Sequence, residues 1–317
     1  MKLLSASLVL IAGCAMSGSD ADPSLEQDSS ATTYVQILDF DKIDQGAWYD
    51  GIHSLNSQFD DICGDTFCEG DYSNITPLTF ACSVSSKAGN VKDCAWTFSA
   101  SQLDVDPKSA AIVTQAPTFE CHFKMKTTAT KLATILAGSD SLDAALPGAP
   151  ADMPSLYDQL GDCFEHPFVQ NTGSYATTGK DSYVSSRDYY ASAAGQARWS
   201  AAQAAAVAGF DNVCGDTFCS SDYNDLQSMN LECAVTKSTG NVKSCAWVFG
   251  GSYFWVPNEK TGALVTEHKT FRCDFAVKGT LAQLISTWTA TGTEDAIHRP
   301  LPGETATAYD ALGGCLP

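Results

Sequence analysis

The 317-residue chain carries 37 Asp and Glu against 18 Lys and Arg, a formal net charge of −19 at pH 7. A surface that acidic repels phosphate, which disfavours nucleic-acid binding and makes cationic groups or divalent metals the natural ligands. Hydrophobic residues make up 44% of the chain, enough for a packed core, but no run approaches the roughly 20 apolar residues of a membrane-spanning helix.

The chain begins MKLLSASLVLIAGC, one cation followed by a short apolar run that ends on small residues and a cysteine. This is the pattern of an export signal over residues 1–13. Ile11-Ala12-Gly13-Cys14 resembles the lipobox of bacterial lipoproteins. The resemblance implies cleavage before Cys14, acylation of that cysteine, and a cell-envelope protein held to the membrane by lipid. Ala15, a non-acidic residue after the cysteine, implies the outer membrane. Loss of residues 1–13 removes Lys2 and no acid, so the processed chain carries 17 − 37 = −20. Residues 14–33 are rich in Ser, Asp, Ala and Thr with no apolar period, the composition of a disordered tether.

From there the chain repeats itself. FDDICGDTFCEGDY at 59–72 matches FDNVCGDTFCSSDY at 210–223, and GNVKDCAWTF at 89–98 matches GNVKSCAWVF at 240–249. YDQLGDC at 157–163 matches YDALGGC at 309–315. The sequence therefore reads as two copies of one domain, at 34–166 and 185–317, joined by a polar linker at 167–184. Cys63, Cys68, Cys82, Cys94, Cys121 and Cys163 fall on Cys214, Cys219, Cys233, Cys245, Cys273 and Cys315. In an exported protein, six cysteines per copy read as three disulfides, with the pairing left open. Zinc and redox chemistry fit poorly, because the C-x4-C spacing of CGDTFC is neither a zinc knuckle nor a C-x-x-C site.

Within the first copy, Trp48, Ile52, Leu55 and Phe59 recur at helical spacing and predict an amphipathic helix that stops near Cys63 at the following glycine. Trp199, Ala202, Ala206 and Phe210 predict the same in the second. Three strands follow, with Phe80, Cys82 and Val84, then Cys94, Trp96 and Phe98, then Phe119, Cys121, Phe123 and Met125 on a core face. Ala81, Ser83, Asp93, Thr97, Glu120, His122 and Lys124 then occupy the other face, expected to be wet. The turns KAGN and STGN close the first hairpin and set Cys82 opposite Cys94. Pro117 predicts an edge strand or bulge, and short helices end the copy. The fold class is α+β: two tandem disulfide-bonded domains, each a helix packed on a three-stranded antiparallel meander followed by short helices. A helix laid across such a sheet resembles the cystatin-like and NTF2-like architectures in topology alone.

Three features point toward function. Asp60, Asp65 and Asp71 recur as Asp211, Asp216 and Asp222 around the repeated hexapeptide. Their plain role is to cap turns; the alternative is calcium, which takes about six to eight oxygens, although the spacing is not that of an EF-hand. Second, Tyr253, Phe254 and Trp255 replace Gln102, Leu103 and Asp104 on the long hairpin, giving either a binding tip or, if Tyr253 and Trp255 keep the core phase, buried rings. Gly250-Gly251 offers a place for a bulge that resets that phase. Third, none of the histidines recurs at a matched position, and no catalytic motif is present. The reading that follows is a non-enzymatic envelope lipoprotein acting as a binding or structural module for a protein or cationic partner, without a cofactor unless calcium binds. Its alternatives are an inhibitor of a protease or other envelope enzyme, suggested by the cystatin-like topology, and a hydrolase working through His122 or through His268 beside Glu267 in one diverged copy.

Overall fold

The computed structural model describes residues 32–68, 72, 74–164, 182–220, 223, 225–292 and 295–317. The signal segment, Cys14, nearly all of the tether, linker residues 167–181, and Asp71 and Asp222 lie outside the described residues.

The first half runs β1 (Tyr34–Gln36), α1 (Gln45–Cys63), β2 (Thr76–Ser85), β3 (Val91–Ser99), β4 (Gln102–Val105), β5 (Ile112–Gln115), β6 (Thr118–His122), α2 (Ala129–Leu136) and α3 (Leu156–Phe164). Asp44 caps α1 by accepting from the Ala47 amide, and Trp48, Leu55 and Phe59 bury one side of that helix. That side packs on a sheet of order β1-β2-β3-β6, where Phe59 meets Trp96 and Phe98 at 5.7 and 5.0 Å between ring centroids. The sheet thus has four strands, not the expected three. Its extra edge, β1, is too short for a period-two signal and is fixed by pairing Tyr34 with Ser85. Gly64 ends α1 in right-handed geometry (φ −62°), so the glycine is not the expected left-handed stop. The chain turns there through the Cys63–Cys68 bond.

The second half runs β7 (Tyr183–Ser185), α4 (Ser186–Tyr189), α5 (Ala193–Cys214), β8 (Gln227–Thr236), β9 (Val242–Trp255), β10 (Val265–Phe275), α6 (Leu281–Trp288) and α7 (Ala308–Gly313), with sheet order β10-β9-β8-β7. Strand β7 begins inside the segment expected as linker. Where Pro117 lacks an amide to pair, the first half breaks into β5 and β6; the matched Lys269 lets β10 run on for 11 residues. Disulfides join Cys63–Cys68, Cys82–Cys94 and Cys121–Cys163, and Cys214–Cys219, Cys233–Cys245 and Cys273–Cys315, at sequence separations of 5, 12 and 42 in each half. The fold is α+β with antiparallel sheets, and seven α-helices stand among the described residues.

The face expected to be wet is buried along much of its length. Ala81, Ser83 and Thr97 are at most 1% exposed, because the two sheets lie back to back with the helices outside. Thr97 and Ser252 share a hydroxyl hydrogen bond of 2.8 Å, and Ser83 donates to the Gly262 carbonyl at 2.5 Å. Each half also grips the other with its long hairpin. The Tyr34 amide donates to the Glu259 carbonyl at 2.7 Å, and the Ser182 and Tyr183 amides donate to the Pro107 carbonyl at 2.9 and 3.0 Å. Leu264 packs on Ala81 and Ala95, while Leu103 and Ile112 pack on Ala234 and Ala246. Small residues make this possible, since a larger side chain on either sheet would hold the layers apart.

Gly250 serves that approach, Gly251 lies against Leu226 and Tyr223 of its own half, and neither hosts a bulge. Their pairing with Thr270 and Lys269 is unbroken, and the register shift falls across the neighbouring strand between Ser228 and Asn230. A Cβ on Gly250 would sit 2.5 Å from Ser99 Oγ and 2.7 Å from Ser99 Cβ. Gly250→Val should therefore cost about 1–3 kcal/mol through overpacking, measured by urea unfolding. Gly64→Ala, whose added Cβ meets nothing within 4 Å, should stay close to wild type.

Candidate ligand-binding cleft

The seam leaves a cleft of ≈ 510 Å³ where α1, β1 and β2 of the first half meet β9 of the second. Its rings are Trp48, Tyr49, Phe80, Tyr253 and Phe254, joined by Leu38, Ile52 and Leu78. Trp48 and Phe80 pack together at 6.1 Å between centroids, and both are almost fully buried. Tyr49 stands at the rim, 59% exposed; among the described residues the only other large exposed apolar side chain is Val113. The helix phase explains the placement, because Trp48 belongs to the core stripe and its neighbour Tyr49 necessarily points a third of a turn away.

Among the described residues, Asp225 supplies the one carboxylate of this cleft. Its Oδ1 accepts from the Ser252 amide at 2.6 Å, and its Oδ2 accepts from the Ser252 hydroxyl at 2.7 Å and from the Thr79 hydroxyl. Thr79 is on β2 and Ser252 on β9, so Asp225 ties the halves together at the cleft. Burial pushes its pKa above the usual carboxylate value, and the donors from Thr79 and Ser252 offset only part of that.

A second cleft of ≈ 380 Å³ lies at the sequence-matched place on the other side of the seam. Asn74 stands there for Asp225, Gln102 for Tyr253, Leu103 for Phe254, Gln203 for Ile52, and Arg187 for Leu38. Asn74 accepts from the Ser101 amide at 3.0 Å, as Asp225 does from Ser252, but donates to the Ser101 hydroxyl at 2.8 Å where Asp225 accepts from that of Ser252. Glu232 also lines this cleft, held by the Ser186 amide at 2.6 Å, the Ser186 hydroxyl and the Cys233 amide at 3.0 Å. Burial raises its pKa as well. One cleft is aromatic and the other polar.

The residues singled out in the sequence are spread more widely. Tyr253 and Phe254 line the aromatic cleft. Trp255 stacks on Tyr253 at 5.2 Å, and Tyr253 in turn meets Tyr223 edge-on at 5.3 Å. All three hairpin rings are half-buried, neither a free tip nor full core. Asp60, Asp65, Asp211 and Asp216 are exposed, and among the described residues no group of three or more His, Cys, Asp or Glu is arranged to hold a metal. Burial raises the pKa of Asp60 and Asp211, with Asp61 adding to the first. The turn at the hexapeptide is bonded by Thr66 and Thr217, whose hydroxyls donate to Ile62 and Val213 carbonyls at 2.8 and 2.7 Å.

His122 and His268, far apart in sequence, come together on Glu120. His122 Nε2 lies 2.8 Å from Glu120 Oε1 and its Nδ1 lies 3.1 Å from Asp93 Oδ1, while His268 Nε2 lies 3.5 Å from Glu120 Oε2. His268 Nδ1 is 2.6 Å from the Thr118 hydroxyl. The hydrogen bond to Asp93 raises the pKa of His122, and the same bond lowers that of Asp93. The histidine's contribution is present below about pH 6.5 and lost as pH rises through its raised value; that of Asp93 is present above about pH 4 and lost below its lowered value. Glu267 instead bonds Tyr253 and Tyr223 through their hydroxyls at 2.7 and 2.8 Å.

Sequence reasoning passed over Asp225 and Tyr49. The signal for the first was an acid-for-amide exchange between Asn74 and Asp225, just after a matched stretch that carries a second such exchange, Asp61 for Asn212. Comparison with protein-family models, with curated proteins and with solved structures finds no match to this chain.

Because the folded-state pKa of Asp225 is raised, its contribution is favourable below about pH 4 and is lost as pH rises through the raised value. Asp225→Asn should therefore gain thermal stability relative to wild type between pH 4 and pH 8. A Tm difference that does not change with pH would contradict that burial cost.

Proposed function

We propose that this chain is a non-enzymatic, lipid-anchored envelope protein whose aromatic cleft binds a small apolar or aromatic molecule, and that its halves are two copies of one domain. The copy reading rests on the shared disulfide spacings, the reciprocal hairpins and the pairing of Asn74 with Asp225. The binding reading rests on one observation: five rings converge on one cleft, Trp48, Tyr49, Phe80, Tyr253 and Phe254, whereas its matched partner is lined mostly by polar groups. The cleft's size lies in the range of roughly 300–1,000 Å³ that small-molecule sites occupy. Exposed Tyr49 gives the binding surface a rim that folding does not require.

The neutral fluorophore N-phenyl-1-naphthylamine is a direct probe of this site. It should bind once per chain with a blue-shifted emission. Ile52→Trp, which fills the cleft from α1, should abolish that binding, and Tyr49→Ala should weaken it by about threefold to tenfold without changing Tm. Absence of saturable binding, or equal binding by Ile52→Trp, would contradict the reading. Cys14→Ala should move the chain from the membrane fraction to the soluble one, scored by detergent partitioning.

A further inference from the structure

We propose that the ligand of the aromatic cleft is an organic cation: a small ammonium carrying apolar or aromatic substituents, with its charge placed at Asp225 and against the surrounding rings. The inference rests on the binding reading above and assigns it a ligand class.

Four observations carry it. Among the described residues, Asp225 is the only charged one lining the cleft, alongside Gln36, Thr79 and aromatic or aliphatic side chains. The hydrogen bonds it accepts come from the Thr79 and Ser252 hydroxyls and the Ser252 amide, and among the described residues no Lys, Arg or His forms an ion pair with it. A half-buried carboxylate without a cation is costly, and its cost is relieved when a ligand brings the positive charge.

In the matched cleft a neutral amide holds the same place: Asn74 accepts from the Ser101 amide and donates to the Ser101 hydroxyl. The polar cleft thus has an amide at this position, and its own acids, Asp104 and Glu232, share the wall with Arg187. Trp, Tyr and Phe faces attract ammonium groups, most strongly when water is excluded, and a substituted ammonium sheds water more readily than a bare one. The charge of the chain favours the same ligand, since its 37 acidic residues against 18 basic ones concentrate cations at its surface. Anionic apolar molecules would meet Asp225 with the wrong sign.

The test uses the full described chain with intact disulfides, and measures displacement of N-phenyl-1-naphthylamine by two molecules of one shape. Benzyltrimethylammonium carries the charge; neopentylbenzene is its neutral carbon isostere. Wild type should prefer the cation by about tenfold or more. Because the quaternary nitrogen does not titrate, its affinity should rise with pH as Asp225 ionises. Asp225→Asn should erase the pH dependence and cut the preference to the roughly few-fold remainder that the rings alone supply. Equal affinities in wild type, or an Asp225→Asn variant whose preference for the cation and pH dependence equal those of wild type, would overturn the ammonium assignment and leave the apolar cleft standing. Failure of the fluorophore itself to bind would overturn both.

Discussion

The contact on which the rest of the structure depends is the back-to-back meeting of two sheets whose inner faces carry small residues where they approach most closely. Ala81, Ser83, Ala95 and Thr97 on one side meet Ser252, Gly262 and Leu264 on the other, and Gly250 lies against Ser99. A hydroxyl brought into such a layer is costly unless paired, and Thr97 with Ser252 and Ser83 with Gly262 pair across the seam, while Ser99 Oγ is buried there with no partner among the described residues. Each sheet is then covered on both faces, by helices outside and by its counterpart inside. The disulfides act within each half and none crosses, so the seam is held by packing, hydrogen bonds and the two hairpins.

The clefts follow from that geometry. Two twisted sheets with helices outside diverge toward their ends, and the divergence leaves a hollow on each side between one half's helix and the other half's hairpin. Matched backbones then allow unmatched chemistry. Replacing Leu38 by Arg187, Ile52 by Gln203 and the pair Tyr253 and Phe254 by Gln102 and Leu103 turns an aromatic hollow into a polar one without moving a strand. In the second half, Ser186 and Glu232 take the places of Ile37 and Ala81, a buried polar pair where the first half has two apolar residues. Both halves place tryptophans and phenylalanines at corresponding core positions, Trp48, Phe59, Trp96 and Phe98 in the first and Trp199, Phe210, Trp247 and Phe249 in the second.

Much of this was legible in the sequence. The helical stripes, the strands and the opposition of Cys82 and Cys94 all rest on local spacing, which a single chain displays. The buried inner faces were not, because Ala81, Ser83, Thr97 and their neighbours read as a wet face by period-two logic until the second sheet is seen to cover them. The same holds for the cleft. Trp48 and Ile52 fit a core stripe and Tyr253 and Phe254 a hairpin, and only the packing of one half on the other brings them to one place. Asp225 was hidden beside a run of more conspicuous aspartates, although its exchange with Asn74 marked it. His122 and His268 were weighed as separate catalytic candidates, whereas Glu120 joins them across the seam.

The account stands or falls on the two halves forming one body through their sheet faces, since the cleft exists only if they do. Backbone residual dipolar couplings from residues 34–164 and 182–317, recorded on one weakly aligned sample, test this directly. The seam predicts that couplings from both halves fit a single alignment tensor in the orientation given by the Thr97–Ser252 and Ser83–Gly262 contacts. Two tensors of different magnitude or direction would mean that the halves move independently, and the cleft between them would lose its basis.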